Sequence, residues 1–233
     1  TIGSSTYAIV TAWTDDGVQI IDISDPTDIV AKGSMVDTGS LELDGARGVD
    51  VFTIGSSTYA IVAAWTDNGV QVIDISDPEN IVATDSLADN GSLALKVSRN
   101  VETFTIDSST YAIVTSNVDD GVQIIDISDP ENIEAKGSLV DAGSLKLDGA
   151  RDVATFVIGS STYAIVTSQN EGGVQIIDIS DVDNLVAKGS MADTGSLMLD
   201  DTRGIDVFTI GSSTYAIVTA WTDDGVQIID ISD

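Results

Sequence analysis

The sequence predicts an all-β protein built from tandem repeats, and three observations carry this prediction. First, residues 1–10 recur with little change at residues 53, 105, 157 and 209, which fixes a period of 52 residues. Second, short segments rich in β-branched and aromatic residues alternate with clusters of Gly, Ser, Asp and Asn that favour turns. Third, no segment shows the apolar period of an amphipathic helix.

Each repeat unit contains four predicted strands, A to D. In the second unit, residues 49–54 alternate between apolar and polar positions, and residues 58–62 form a short apolar run. Residues 69–75 form a third strand and residues 81–84 a weaker fourth one, while residues 86–98 are predicted to be a long polar connection. Four antiparallel strands in a unit of this length are typical of a β-propeller blade, with strand A innermost.

The chain is predicted to form one repeat domain, residues 1–233. Its units are 1–52, 53–104, 105–156, 157–208 and the partial unit 209–233, which is identical to residues 1–25. Three arrangements remain open. A five-blade ring leaves unit 1 without most of strand A and unit 5 without strand D, and a four-blade ring uses the last strand A to complete the first blade. In the third arrangement the chain is a fragment or a subunit whose ends pair with another chain.

The composition is strongly acidic, with 38 Asp and Glu residues against 9 Lys and Arg residues and a net charge of -29. Such a surface repels phosphate backbones and anionic lipid, so we expect neither a nucleic-acid nor a membrane-surface partner. Because no run of 18 apolar residues occurs, we also expect no membrane insertion. Cysteine and histidine are absent, which removes thiolate nucleophiles, thiolate metal ligands and the commonest general base.

The segment 17–26, GVQIIDISDP, and its recurrences resemble the LVIVD-repeat family, propeller-like proteins of bacterial and archaeal surfaces. The resemblance covers the whole chain and implies a scaffold in an extracellular or cell-surface location, but it says little about activity. The fourth unit departs from the pattern with Val182 in place of proline. In place of a second proline that is common in that family, this chain has Ile29, Ile81 and Ile133. Both departures predict a looser turn between strands C and D.

One arginine in each of the first four units and one strand-C aspartate in each of the five units are candidates for structural ion pairs. The arginines precede strand A, and the aspartates interrupt the apolar strand C. Because a buried carboxylate needs a partner, each arginine is predicted to pair with an aspartate within or between blades. These residues are Arg47, Arg99, Arg151, Arg203, Asp22, Asp74, Asp126, Asp178 and Asp230. The alternative is a ring of guanidiniums at the channel mouth that binds an anion, which the acidic surroundings disfavour.

The B-to-C turns and the D-to-A connections are expected on one face, where a ligand would bind. The candidate ligand-binding residues there are Trp13, Trp65, Trp221, Asp15, Asp16, Asp67, Asp119, Asp120, Asp223 and Asp224. Aspartates beside Gly- and Ser-rich loops suit calcium, although no segment matches a known calcium-binding loop. Otherwise they are solvated turn formers, so no cofactor other than calcium is expected and no metal ligands are assigned.

Three functions compete on this sequence. The first is a structural or adhesive surface module that self-associates through its incomplete end blades into an assembly or filament, with copies of itself or other surface proteins as partners. The second is a domain that binds a glycan, calcium or another cation on the acidic, tryptophan-bearing face. The third is a hydrolase, which is disfavoured because almost every acid recurs around the ring, whereas a catalytic pair needs two different environments. We therefore expect a structural protein and not an enzyme.

Overall fold

The computed structural model describes residues 1–232, in which 18 β-strands form five antiparallel sheets. We call these sheets blades 1 to 5 in chain order. Blade 1 consists of β1 (Tyr7–Ala12), β2 (Gly17–Asp22) and β3 (Val30–Val36). Blade 2 consists of β4 (Ala46–Ile54), β5 (Ser57–Ala64), β6 (Gly69–Asp74) and β7 (Val82–Ala88). Blade 3 consists of β8 (Ser98–Ile106), β9 (Ser109–Ser116), β10 (Gly121–Asp126) and β11 (Glu134–Val140). Blade 4 consists of β12 (Ala150–Ile158), β13 (Ser161–Ser168), β14 (Gly173–Asp178) and β15 (Val186–Ala192). Blade 5 consists of β16 (Thr202–Ile210), β17 (Ser213–Ala220) and β18 (Gly225–Asp230).

The predicted propeller of four-stranded blades is confirmed. Strand order in every sheet follows chain order, so the strands of a blade are joined by hairpins. Blades 2, 3 and 4 have four strands, whereas blade 1 lacks strand A and blade 5 lacks strand D. Because β16 pairs with β17 in its own sheet, the four-blade arrangement is wrong. No helix in residues 1–232 is long and apolar enough to cross a membrane.

Strand D is longer than the sequence predicted. It spans Val82–Ala88 in blade 2, because β6 offers it a free edge and the pairing continues past a register shift between Gln71 and Ile73. The connection that follows is not purely polar, since Leu95 within it is 0% exposed. One leucine of this kind therefore fixes each long connection against the core.

The predicted loosening of the C-to-D turn at Val182 is wrong. The carbonyl oxygen of Val182 accepts a hydrogen bond from the Gly137 amide at 2.8 Å, as the Pro78 carbonyl accepts one from Gly33 at 2.7 Å. The turn thus keeps its shape without proline, because the preceding blade's strand D binds its backbone carbonyl, a group that both residues have.

Apolar residues form a core between each pair of neighbouring blades. Between blades 1 and 2, Val18 and Ile20 of β2 pack with Val62 of β5 and Ile73 of β6. The other three interfaces use the equivalent residues of later units. Each blade therefore has a forward face, which packs on the next blade, and a rear face, which packs on the preceding one.

Two of these faces are uncovered in residues 1–232: the rear face of blade 1 and the forward face of blade 5. Val10 and Ile23 on blade 1 are 45% and 37% exposed, and Val226 and Ile228 on blade 5 are 57% and 45% exposed. Ile124, the equivalent of Ile228 in blade 3, is 0% exposed. The exposure thus comes from the missing neighbouring blade and not from a change of residue type.

A glutamine in strand C, buried in blades 2, 3 and 4, binds the connection that enters its blade. Gln123 is 1% exposed, and its Nε2 donates to the carbonyl oxygens of Ile124 at 3.0 Å, Lys136 at 2.8 Å and Gly137 at 3.2 Å. Its Oε1 accepts the Ala94 amide at 3.2 Å. The equivalents are Gln19, Gln71, Gln175 and Gln227. Sequence reasoning missed this residue, although a polar side chain recurring inside an apolar strand was the available signal.

Candidate functional site

The candidate site lies where the inner strands begin. In β4 the pairing with β5 shifts register between Ala46 and Val49, so that Arg47 and Gly48 lie in an irregularity of the β-bulge kind. The same shift recurs at the start of β8, β12 and β16. Bulges re-aim side chains, and here they direct all four arginines of the chain to one cavity. This cavity of about 210 Å³, the channel mouth, is lined by Arg47, Gly48, Arg99, Asn100, Arg151, Asp152 and Arg203.

The predicted ion pairs between these arginines and the strand-C aspartates are wrong. Each of those aspartates instead accepts the backbone amide two residues further on; Ser76, for example, donates to Asp74 at 2.8 Å. The aspartates with this bond are Asp22, Asp74, Asp126, Asp178 and Asp230. Asp74 lies opposite Tyr59 at the start of strand B, whereas Ala46, next to Arg47, lies opposite the end of that strand. The two charges are therefore at opposite ends of the blade.

The arginines contact tryptophans instead. The guanidinium carbon of Arg47 lies between two rings, 4.0 Å from the centroid of Trp13 and 4.4 Å from that of Trp65. Arg99 lies against Trp65 at 4.5 Å. A cation held over an aromatic face in this way is stabilised by about 0.5–2 kcal/mol. Two candidate sets that the sequence kept apart, the arginines and the ligand-binding tryptophans, therefore form one site.

Blades 4 and 5 complete the mouth with different partners. In blade 4, Gln169 replaces the tryptophan, and its Oε1 accepts hydrogen bonds from Arg151 at 2.7 Å and Arg99 at 3.4 Å. In blade 5, Arg203 stacks on Trp221 at 4.3 Å and pairs with Asp201 at 2.9 Å. Within residues 1–232, the other three arginines have no carboxylate within ion-pair distance.

The four guanidiniums are close enough to repel one another. Burial, followed by the charges of Arg151, Arg47 and Arg203, lowers the pKa of Arg99 to about 10. The buried Nε atoms of Arg47 and Arg99 have no hydrogen-bond partner among residues 1–232. The mouth thus gathers the whole guanidinium charge of an acidic protein and leaves some of its donors unused.

A layer of carboxylates follows along the same inner strands. Asp50, Glu102 and Asp206 occupy equivalent positions, where β12 has Ala154. Burial, and then the charges of Asp50, Asp152 and Asp206, raises the pKa of Glu102 to about 7. The carboxylates of this layer are thus an exception to the recurrence of acids around the ring, because the four inner strands carry Asp, Glu, Ala and Asp at this position.

Replacing Glu102 by glutamine should stabilise the protein in a pH-dependent manner. Folding raises the pKa of Glu102 from 4.5 to about 7, so the folded state holds this proton more tightly. The stabilisation from that proton is complete below pH 4.5 and is lost as the pH rises through about 7. We expect E102Q to gain about 1–2 kcal/mol at pH 8, a figure reduced for partial exposure, and nothing at pH 4. Urea unfolding at both values measures this, and an equal gain at both would contradict it.

Five of the seven predicted ligand-binding aspartates bind the protein's own backbone. Asp67 accepts the Asp44 amide at 2.7 Å, and Asp16 accepts the Gly45 amide at 3.0 Å from the connection into the next blade. Equivalent bonds are made by Asp119, Asp120 and Asp223. Within residues 1–232, the carboxylates of Asp15 and Asp224, in the end blades, make no such bond.

The predicted common face is nevertheless present, since the Trp65 amide donates to the Gly45 carbonyl of the D-to-A connection at 3.0 Å. In the described part of the chain, no three acidic side chains converge in an arrangement that could hold a metal ion. The aspartates on this face therefore act as hydrogen-bond acceptors for the connections.

Solved structures share this fold at low sequence identity. A protein from Lactobacillus plantarum is 14% identical with a TM-score of 0.67, and the match covers 100% of this chain and 69% of that one. A functionally unknown protein from Desulfotomaculum acetoxidans is 11% identical with a TM-score of 0.66, covering 98% and 67%. An exo-β-1,3-galactanase from Phanerochaete chrysosporium is 11% identical with a TM-score of 0.61; this chain is covered to 99% but spans only 58% of the galactanase. Such likenesses show the fold alone.

No curated protein matches the sequence. The family model described as "LVIVD repeat" matches residues 4–38, 55–88, 109–141 and 150–193, which together make up more than half of the chain. The chain belongs to the LVIVD repeat family.

Proposed function

We propose that the chain is a structural repeat module that associates with further copies of itself. In this arrangement the forward face of blade 5 in one copy packs on the rear face of blade 1 in the next. One observation carries the proposal: these two faces are the halves of an interface that the chain makes four times internally. A head-to-tail contact of this kind repeats from copy to copy and builds a ring or a filament.

The residues on the two uncovered faces match those of the internal interfaces. Between blades 3 and 4, Val122 and Ile124 pack with Val166 and Ile177. The equivalent residues on the uncovered faces are Val226, Ile228, Val10 and Ile21, with the same amino acid at each position. Covering one large aliphatic side chain contributes about 1.5–3 kcal/mol, so covering both faces favours association.

The proposal predicts a particle mass that rises with concentration. Val226→Asp should abolish this rise, because it places a charge on the forward face of blade 5, where Val226 is 57% exposed. Val118→Asp is the matched control, since Val118 is 47% exposed in a B-to-C turn away from both faces, and it should leave the mass unchanged. Light scattering and sedimentation velocity measure the mass. A monomer at every concentration, or unaltered association of V226D, would contradict the proposal.

Salt should strengthen the association. Each copy carries a net charge of -29, so two copies repel each other while their apolar faces attract. Added salt screens the repulsion and leaves the apolar contact intact. Adhesion and the extracellular or cell-surface location stay predictions, which the family resemblance supports.

Binding of a glycan or of calcium at the tryptophan-bearing face is the alternative. Exposure of Trp13 (54%) and Trp221 (65%) favours a glycan, whereas the turn carboxylates already accept backbone amides and leave calcium less supported. The expectation that the chain is not an enzyme also stays a prediction. The likeness to the galactanase extends to the fold alone. The recurrence of acids around the ring was the reason against catalysis, and it does not hold for the layer of Asp50, Glu102 and Asp206.

A further inference from the structure

We propose that the channel mouth binds a small oxyanion, a carboxylate or sulfate group, between its four arginines. This site is independent of the proposed self-association. The guanidiniums of Arg47, Arg99, Arg151 and Arg203 line one cavity of about 210 Å³. A guanidinium presents its donors as a planar fork that matches the oxygens of such a group, which a lysine does not.

The cavity contains donors that the protein does not use. Arg47 and Arg99 stack on tryptophan faces, which attract the cation but accept no hydrogen bond from the edge of the fork in its plane. The buried Nε atoms of both arginines have no partner among residues 1–232. Arg151 is held by the neutral Gln169 and not by a carboxylate. An acceptor that enters between these arginines would pair with guanidinium edges that no side chain of residues 1–232 occupies on Arg47, and that only Gln169 contacts on Arg99.

The local charge also favours an anion. Besides the four guanidiniums, two carboxylates lie at the mouth: Asp201, which pairs with Arg203, and Asp152, which accepts the Ile205 amide at 2.8 Å. Three arginines thus remain without a neutralising partner in the described chain. The acidic surface elsewhere opposes this only weakly, because charges are screened over about 8 Å at physiological salt.

The cavity has room for a small group. About 210 Å³ lies open to solvent at the mouth, which accommodates a small acid or the acidic end of a larger molecule. Trp13 and Trp221 at the rim are 54% and 65% exposed and offer apolar surface to the rest of such a molecule. A free inorganic anion and a sugar acid present the same group and are distinguished by titration.

Tryptophan fluorescence reports directly on this site. Each of the three tryptophans of the chain is stacked on an arginine that lines the mouth and that the anion would contact. Inorganic sulfate, glucuronate and glucose should be titrated separately at constant ionic strength. Saturable changes with sulfate and glucuronate, and none with glucose, are the expected result. Binding of glucuronate alone assigns the group to a sugar acid, and binding of sulfate alone assigns it to the inorganic anion.

Substitution shows whether the arginines are responsible. Arg99→Gln and Arg151→Gln should each weaken the affinity about 10- to 100-fold, as expected for a charged hydrogen bond. Lys188→Gln is the control, because it makes the same charge change at a lysine that pairs with Asp178 at the far end of blade 4, and its affinity should not change. Two arginine variants keep the test valid if one fails to fold. Absence of binding by sulfate and glucuronate, equal binding of glucose, or unchanged affinity in folded R99Q and R151Q would overturn the proposal.

Discussion

Replacing Ile124 by aspartate is expected to cost more than about 4 kcal/mol of folding free energy, whereas the same change at Ile228 should cost less than about 1 kcal/mol. The two isoleucines occupy the same position of the repeat, but Ile124 is 0% exposed between blades 3 and 4, and Ile228 is 45% exposed. A carboxylate at position 124 would be buried without a partner, while at position 228 it would remain in water.

Urea unfolding of the two variants at low protein concentration measures this difference. A loss of about 4 kcal/mol removes a large part of the stability of an ordinary domain, so I124D should unfold at a much lower urea concentration than the wild type. I228D should unfold near the wild-type midpoint and fail to associate. Equal destabilisation of both variants would mean that the forward face of blade 5 is covered within the chain.

Replacing Gln123 by alanine should destabilise the protein by about 3 kcal/mol, which corresponds to about 6–12 °C in the midpoint of thermal unfolding. The change leaves the Ala94 amide without its acceptor and the carbonyl oxygens of Lys136 and Gly137 without a side-chain donor, all close to a buried site. If these backbone groups were exposed, water could replace the lost hydrogen bonds, but Gln123 is only 1% exposed.

Gln227→Ala is the matched control for this prediction. Gln227 donates to the Ile228 carbonyl at 2.9 Å and accepts the Met198 amide at 3.3 Å, but blade 5 lacks strand D and both bonds are exposed to solvent. We expect Q227A to cost less than about 1 kcal/mol. Calorimetry compares the two variants, and similar losses in both would show that the glutamine acts through strand C alone.

The fold could be predicted from the sequence because the same strand and turn patterns recur in every unit. A period of 52 residues with four strand signals leaves few architectures other than a propeller. The bounds of strand D were missed because Val82–Ala88 contains Asp85, Ser86 and other polar residues, and its pairing with β6 determines its length. Intrinsic β-propensity did not contain that information.

The topology of the blade excludes the predicted arginine–aspartate pairs. In a blade of consecutive hairpins, the start of strand A and the end of strand C lie at opposite ends, which separates Arg47 from Asp74. The stacking of Arg47 between Trp13 and Trp65 was harder to foresee, because it depends on a bulge and on the curvature between blades. Neither is encoded in a local pattern.

Cross-linking between copies tests the central claim, that the two uncovered faces are halves of one interface. The chain has no cysteine, so each substitution introduces a single thiol. Ile228→Cys places it on the forward face of blade 5, and Val10→Cys places it on the rear face of blade 1. The equivalent residues Ile124 and Val166 share one apolar cluster between blades 3 and 4. A short thiol-specific linker added to a mixture of the two variants should give mixed dimers in clear excess over dimers of either variant. Absence of that excess, or a linkage within single chains of the double variant at high dilution, would contradict the claim.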